Sequence, residues 1–174
     1  MTWEHSILDR SVTKRMKKLG DLGEALAEKL LRKAGFTNVR NLNIENNNNK
    51  YADIYAEKGA EKYVISVRTR NKYENNGSLN GRYKLKADCH EQAAKMEKKF
   101  DASAAWVTIA IETDKGTFDA YFGTLESLQG NTGVPMSEKA TCNYEKLARH
   151  ESLADYGIEK GLYKELKNIY KTRI

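Results

Sequence analysis

Apolar side chains recur at helical spacing from about Thr13 to Ala34, which predicts an amphipathic helix. The helix is expected to end at Gly35, because glycine readily adopts the left-handed backbone that closes many helices. Gly20 and Gly23 lie inside it, and each costs about 1 kcal/mol relative to alanine. The two glycines therefore predict a close approach between this helix and another part of the chain. The repeating apolar positions are Met16, Leu19, Leu22, Leu26 and Leu30.

Alternating polar and apolar residues across Tyr51–Arg70 predict two strands joined by a turn at Glu57–Glu61. Aspartate is depleted in strands, so Asp53 on the first strand stands out. Arg68 and Arg70 share one face of the second strand. If the two strands pair, an acid lies beside a cation, which is the minimal equipment for handling a phosphate. The alternatives are an exposed acid on an edge strand and a structural salt bridge.

A polar, Gly- and Asn-rich stretch at Asn71–Arg82 predicts a loop, and the segments around it predict further strands and helices. A nearly all-apolar stretch, AAWVTIAI, predicts a strand that is buried on both faces and forms a hairpin with the next strand. The predicted strands are Thr37–Glu45, Ala104–Ile111 and Thr117–Phe122, and the predicted helices are Lys86–Phe100, Asn143–Leu153 and Ile158–Tyr170.

Helices and strands that alternate in this way indicate the α/β class. The chain has 174 residues, enough for one compact domain with a substantial core. The predicted core covers about residues 13–123, and residues 124–174 are expected to form a helical tail whose last helix carries a row of lysines.

The chain has 30 Lys and Arg against 24 Asp and Glu, a net charge of +6. This excess permits a polyanionic partner without requiring one. Cys89 and Cys142 lie far apart and form no CxxC pattern, so neither a zinc site nor a disulfide framework is expected. The three histidines have no ligand spacing, and no motif supports Ser/His/Asp hydrolysis.

No apolar run approaches the roughly 20 residues that a membrane span needs. The first residues, MTWEHSILDRSVTKRM, have no apolar signal core. We therefore expect a cytoplasmic protein without a membrane partner.

Three stretches, GDLGEALAEKLLRKAGF, YADIYA and YVISVRTR, occur in the order helix, acidic strand, basic strand. In this order and spacing the chain resembles the PD-(D/E)xK nuclease superfamily, in particular the branch of resolvases and Mrr-like endonucleases. The resemblance covers roughly Lys18–Phe122. It implies a restriction-endonuclease-like αβββαβ core with a mixed central sheet.

The resemblance also assigns roles to four residues. Asp53 matches the metal-binding aspartate, and Glu24 matches an extra acid supplied by the first helix. Arg68 stands where the family has a lysine, and Ser66 stands where it has a second acid. Arginine binds phosphate but does not accept a proton near neutral pH, and serine is a poorer ligand for Mg²⁺ than a carboxylate.

Some members of the superfamily recruit the missing acid from the following helix, which makes Glu91 the candidate here, with Asp88 behind it. Gln92 is a candidate for orienting water or phosphate. The implied metal ligands for Mg²⁺ or Mn²⁺ are thus Asp53, Glu24 and Glu91. The implied catalytic set is Asp53, Arg68, Glu24, Ser66, Glu91 and Gln92, and the implied DNA contacts are Arg68, Arg70, Lys72, Arg82 and Lys84.

The resemblance implies a metal-dependent endonuclease that acts on duplex or branched DNA. It is also compatible with a homodimer, because two-fold symmetric DNA suits a two-fold protein. Two alternatives stay open. The departures at Ser66 and Arg68 are compatible with a catalytically degenerate DNA-binding or assembly protein on the same fold. The basic residues are also compatible with an interaction protein unrelated to nucleic acid.

Overall fold

The computed structural model describes residues 19–45, 50–74, 76–138 and 143–159. The predicted last helix, Ile158–Tyr170, lies outside the described residues except for its first two positions. The start of the first helix and the asparagine run at residues 46–49 also lie outside them. Within the described ranges, no helix combines the length and the apolar character that a membrane crossing requires.

A six-stranded sheet forms the centre of the fold, with the strand order β1-β2-β3-β5-β6-β8. Strands β3 and β5 run parallel, and every other neighbouring pair in this sheet is antiparallel. The α/β class and the mixed sheet are therefore confirmed, as is the order helix, three strands, helix, strand. The strands are β1 (Thr37–Asn41), β2 (Ile54–Lys58), β3 (Glu61–Asn71), β5 (Ser103–Glu112), β6 (Thr117–Thr124) and β8 (Glu145–Ser152).

Helix α1, described over residues 19–33, packs on one face of this sheet. It ends as predicted, with Gly35 at a φ of 96°. The predicted close approach is confirmed at Gly23, where an added Cβ would lie 2.8 Å from the Cβ of Thr69 on β3. At Gly20 an added Cβ would meet nothing within 4 Å. Of the two glycines, only Gly23 is thus required by packing.

Helix α3 (Cys89–Phe100) packs on the opposite face and buries Cys89, Ala93 and Met96. Strand β5 is buried along almost its whole length, as its apolar sequence predicts, because it lies between β3 and β6 and is covered on both faces. Its Trp106 is fully buried and donates its ring N–H to the Thr124 carbonyl at 3.1 Å. The predicted β5–β6 hairpin is confirmed.

The prediction of one strand over Thr37–Glu45 is wrong in its second half. Strand β1 ends at Asn41 and is followed by a single helical turn, α2 (Leu42–Glu45). The side chain of Asn41 accepts the backbone N–H groups of Asn43 and Ile44, at 3.0 and 3.2 Å. Asparagine commonly caps helical turns in this way, and here it redirects the chain over the first residues of the β2 segment.

The prediction of a helix over Asn143–Leu153 is also wrong. This segment forms strand β8, which pairs antiparallel with β6 through two register shifts and makes an edge of the sheet. Leu147 and Ala148 are its inward residues, and the others are polar or charged. A highly charged edge strand with a bulge has no regular period of two, so its sequence resembles an exposed helix.

A second, small sheet pairs β4 (Arg82–Lys84) with β7 (Gly133–Pro135). It is fastened to the main sheet by the Thr108 hydroxyl, which donates to the Pro135 carbonyl at 2.5 Å. Between β3 and β4 the predicted loop contains one short antiparallel bridge, Tyr73 to Leu79. The small sheet thereby brings β4 next to the basic face of β3.

Candidate active site

Asp53 lies immediately before β2, where the chain enters the sheet. Its backbone N–H donates to the Ile65 carbonyl at 2.8 Å, and its own carbonyl accepts the N–H of Leu42 at 2.9 Å. Its side-chain Oδ2 accepts the backbone N–H of Val67 at 2.8 Å and the Arg68 guanidinium at 3.2 Å. Both charged side chains remain partly exposed, at 19% for Asp53 and 25% for Arg68. The acid and the cation therefore form an ion pair that solvent can reach.

The other oxygen of Asp53 faces α1 and α2. Asp53 Oδ1 accepts a hydrogen bond from the Asn43 amide at 3.0 Å, and the same amide nitrogen donates to Glu24 Oε1. Burial and, next, the charge of Asp53 raise the pKa of the Glu24 carboxyl. Glu24 and Asp53 thus form a pair of acids bridged by Asn43. Asn43 was missed at the sequence level because an asparagine in a predicted strand carries no signal of its own.

A pocket of about 340 Å³ opens beside the Asp53–Arg68 pair, between β3 and the start of α3. Its lining contains three basic residues, Arg68, Lys50 and Lys86, and two acids, Asp53 and Asp88. Neither lysine was singled out at the sequence level, since they flank different predicted elements 36 positions apart (86 − 50). The residues that line the pocket are Lys50, Tyr51, Asp53, Arg68, Leu85, Lys86, Asp88, Cys89 and Gln92.

Two titratable side chains in the pocket wall are held protonated. The Tyr51 hydroxyl donates to the Ala105 carbonyl at 2.6 Å, and burial raises its pKa. Burial also raises the pKa of the Cys89 thiol. Neither group is therefore suited to act as a base or nucleophile near neutral pH. The chemistry of the pocket rests on its carboxylates, its cations and the Gln92 amide, which donates to Asp88 at 3.2 Å.

The structure does not bring Ser66 and Glu91 into this arrangement. Ser66 is fully buried on β3, and within the described part of the chain its hydroxyl has no hydrogen-bond partner. Glu91 is exposed and lies 3.9 Å from Lys95 on the same helix. Successive helix residues point about 100° apart, so only Gln92 of this adjacent pair lines the pocket. Asp88 is the α3-side acid that faces the pocket.

Four of the predicted DNA contacts lie on β3 and on the neighbouring strand β4, and of these Arg68 lines the pocket. The Arg70 guanidinium lies 4.3 Å from the centre of the Tyr83 ring on β4, and the Arg68 guanidinium lies 5.8 Å from it. Arg82 and Lys84, on either side of Tyr83, are exposed. We call these four basic residues the basic rim.

Lys72, the fifth predicted DNA contact, is placed differently. Its ammonium lies 3.1 Å from the carboxylate of Asp119 on β6, and both side chains are largely buried. Asp119 also accepts the backbone N–H of His150 at 2.9 Å. Lys72 is thereby neutralised inside the protein, and its contact with DNA stays a prediction.

Within the described ranges, no three Asp, Glu, His or Cys side chains converge as metal ligands. Mg²⁺, however, is commonly held by one or two carboxylates together with water and phosphate oxygens. Glu24 and Asp53 supply two carboxylates; burial and, next, the charge of Asp53 raise the pKa of Glu24, and a bound cation would offset the second of these causes. The residues at this position fit Mg²⁺ or Mn²⁺, and Glu91 as a third ligand stays a prediction.

Replacing Glu24 by glutamine is expected to stabilise the metal-free protein at pH 7. Because the pKa of Glu24 is raised in the folded state, folding favours the protonated acid, and its contribution to stability falls as pH rises above the ordinary value of 4.5. Urea unfolding in EDTA at pH 7 and pH 4 measures this. Glu24→Gln should exceed the wild type at pH 7 and approach it at pH 4.

Glu28→Gln is the matched control for this measurement, because Glu28 lies one turn further along the same helix and pairs with Arg32 at 3.6 Å. Its effect on the free energy of unfolding should be small, because a partly exposed ion pair within one helix contributes little to stability. A Glu24→Gln variant that is less stable than the wild type at pH 7 would contradict the raised pKa of Glu24, which burial and the charge of Asp53 together produce.

The fold and the site together define an α/β protein with a mixed sheet, an acid–arginine pair and a basic pocket at the sheet end. No protein-family model and no curated protein matches the sequence. Among solved structures, the chain is similar to Hjc, a Holliday junction resolvase from the archaeal hyperthermophile Archaeoglobus fulgidus. The sequence identity is 20%, the match covers 80% of this chain and 97% of that chain, and the TM-score of 0.47 indicates a loose overall similarity.

Proposed function

We propose that this protein is a DNA endonuclease that hydrolyses phosphodiester bonds with Mg²⁺ or Mn²⁺. The observation that carries the proposal is the position of Asp53, whose one oxygen is bound by Arg68 and whose other oxygen is linked through Asn43 to Glu24. A phosphate at the pocket would meet the Arg68 guanidinium and the Asp53 carboxylate, whose other oxygen is linked through Asn43 to the second acid, Glu24.

Glu24 and Asp53 would hold the cation, which when bound supplies a Lewis acid for the phosphate and lowers the pKa of a water molecule. Val67 N–H and Arg68 keep the Asp53 carboxylate in one orientation. Arg68 stays charged at all relevant pH values and has N–H groups beyond the one that binds Asp53, so it is suited to bind a phosphate oxygen. Lys50 and Lys86 add positive charge at the pocket mouth.

The basic rim is proposed to hold the DNA backbone on either side of the scissile phosphate. The Arg70 guanidinium lies over the Tyr83 ring, and this cation–π contact restricts the orientation of the guanidinium before DNA binds. The net charge of +6 favours a polyanion over other ligands of the same shape.

Replacing Arg70 by alanine is expected to weaken DNA binding and to reduce the slope of log affinity against log salt by about 1, the value for one lost phosphate contact. Fluorescence anisotropy of a labelled duplex, titrated with the protein in EDTA at salt concentrations from about 50 to about 200 mM, measures the slope. Arg32→Ala is the matched control, because Arg32 lies on α1 and pairs with Glu28. An unchanged slope for Arg70→Ala would remove this residue from the interface.

The proposed activity is tested by incubating the full chain with supercoiled plasmid, linear duplex and a four-way junction, each with Mg²⁺, Mn²⁺ or EDTA. Nicking or resolution that requires the cation is the expected result. Measuring the molecular mass of the protein in solution, with and without the four-way junction, would test whether two copies act together on two-fold symmetric DNA.

A second candidate function is DNA binding without cleavage. The observation that favours it is the direct ion pair between Arg68 and Asp53, together with the burial of Ser66 where the resemblance implies a second acid. An arginine on the aspartate reduces the charge available to a metal. Salt-dependent binding that EDTA does not alter, with no cleavage of any of the three substrates, would establish this candidate over the first.

A further inference from the structure

The geometry points to Asn43 as a third oxygen ligand of the divalent cation. When the cation binds, the Asn43 side chain turns its amide oxygen toward the two acids in place of its amide N–H groups. The inference rests on the proposed function, because it concerns the same pair of acids. Its basis is that the Asn43 amide nitrogen lies between Asp53 Oδ1, at 3.0 Å, and Glu24 Oε1. A cation bound by these two oxygens would displace this nitrogen from between them.

The backbone under Asn43 is held from two directions. The side chain of Asn41 accepts the N–H groups of Asn43 and Ile44, and the N–H of Leu42 donates to the Asp53 carbonyl at 2.9 Å. The helical turn α2 is therefore tied to the same residue that provides the acid. Exchange of the amide requires rotation of the side chain only, while its Cα stays beside Asp53.

The Asn43 amide group is suited to bind the two acids when no cation lies between them. Its NH₂ group has two N–H donors, and one is directed to each carboxylate. In this orientation it neutralises no charge but satisfies one oxygen of each acid. Once the cation has displaced the amide, a half-turn about the last bond of the side chain directs its oxygen toward the two acids, and amide oxygens are ligands that hard divalent cations such as Ca²⁺ accept.

The surroundings permit this exchange. The second Asp53 oxygen stays with Val67 N–H and Arg68, so the carboxylate keeps its position when Oδ1 changes partner. Asn43 is half-buried, and the next residue, Ile44, is 83% exposed. A hydrated cation thus reaches this side of Asp53 without a rearrangement of the sheet.

The test measures Mn²⁺ affinity of the full chain, by electron paramagnetic resonance of free Mn²⁺, for the wild type, Asn43→Ala and Asn43→Asp. We expect Asn43→Ala to weaken the affinity by about tenfold, the low end for loss of a coordinating or supporting group. Asn43→Asp adds a charged oxygen and should tighten it. Asn131→Ala, at an exposed asparagine outside the pair of acids, is the control and should match the wild type.

Thermal unfolding in EDTA is run on every variant, so that affinities are compared only among folded proteins. If the wild type binds Mn²⁺ and both Asn43 variants bind it equally well, the role of Asn43 is refuted while the cation site of the proposed function stands. If Asn43→Ala binds more tightly, Asn43 is a competitor and not a ligand. If the wild type binds no Mn²⁺, the cation requirement of the proposed function fails together with this inference.

Discussion

Replacing Asp53 by asparagine is expected to lower cation-dependent DNA cleavage by about 100-fold or more, the usual cost of removing a charge that acts in the transition state. The substitution keeps the size of the side chain and an oxygen able to accept the Val67 N–H, so the fold should persist. It removes the negative charge of Asp53, which together with that of Glu24 would hold the cation. Initial rates of plasmid nicking at saturating Mg²⁺ measure the effect.

DNA affinity in EDTA should be equal to or higher than that of the wild type, because Arg68 loses the acid that now binds it at 3.2 Å. This combination of lost cleavage and retained binding separates a catalytic role from a general loss of structure. Asp155→Asn is the control, since Asp155 is exposed on the 3-10 turn Leu153–Tyr156, away from the pocket lining. Cleavage by Asp53→Asn at the wild-type rate would refute the proposed site.

Replacing Gly23 by alanine is expected to lower the free energy of unfolding by about 1–3 kcal/mol, the usual cost of overpacking. The added methyl group would lie 2.8 Å from the Cβ of Thr69, on a strand at the centre of the sheet that has no room to retreat. For a chain of this size each kcal/mol corresponds to a Tm decrease of roughly 2–4 °C. Urea and thermal unfolding measure the two quantities.

Gly20→Ala is the matched control on the same helix, where an added Cβ meets nothing within 4 Å. Here the higher helix propensity of alanine should prevail and raise stability by up to about 1 kcal/mol. The two substitutions are chemically identical, so opposite signs would isolate the contact with Thr69. Equal effects from both would show that α1 does not pack on β3 through Gly23.

The elements with a strong repeat were predictable from the sequence. The apolar spacing of α1, the alternation in β2 and β3 and the apolar run of β5 each follow from burial of one face or of both. Elements with few apolar residues were not predictable in this way. The turn α2 has four residues and depends on one capping side chain, and β8 is a charged edge strand whose partner lies more than 20 positions away, at Thr117–Thr124.

For the candidate site the division is similar. The proximity of Asp53 and Arg68 follows from the pairing of two strands joined by a short turn, which is a local feature. The placement of Asn43, Lys50 and Lys86 depends on where three separate segments meet, and no spacing rule contains that information. The choice between Gln92 and Glu91 depends on the rotation of α3 about its axis, which its packing on the sheet decides.

The sequence by itself determined the α/β class, the order of the core elements and the acid–arginine pair, because these depend on periodicity and on contacts between neighbouring strands. Only the tertiary structure decided that Asn43 bridges the two acids, that Lys50 and Lys86 border the pocket, and that Ser66 is sealed in the sheet. The physical reason is range: burial patterns repeat within one element, whereas a single side-chain hydrogen bond between distant segments leaves no periodic trace.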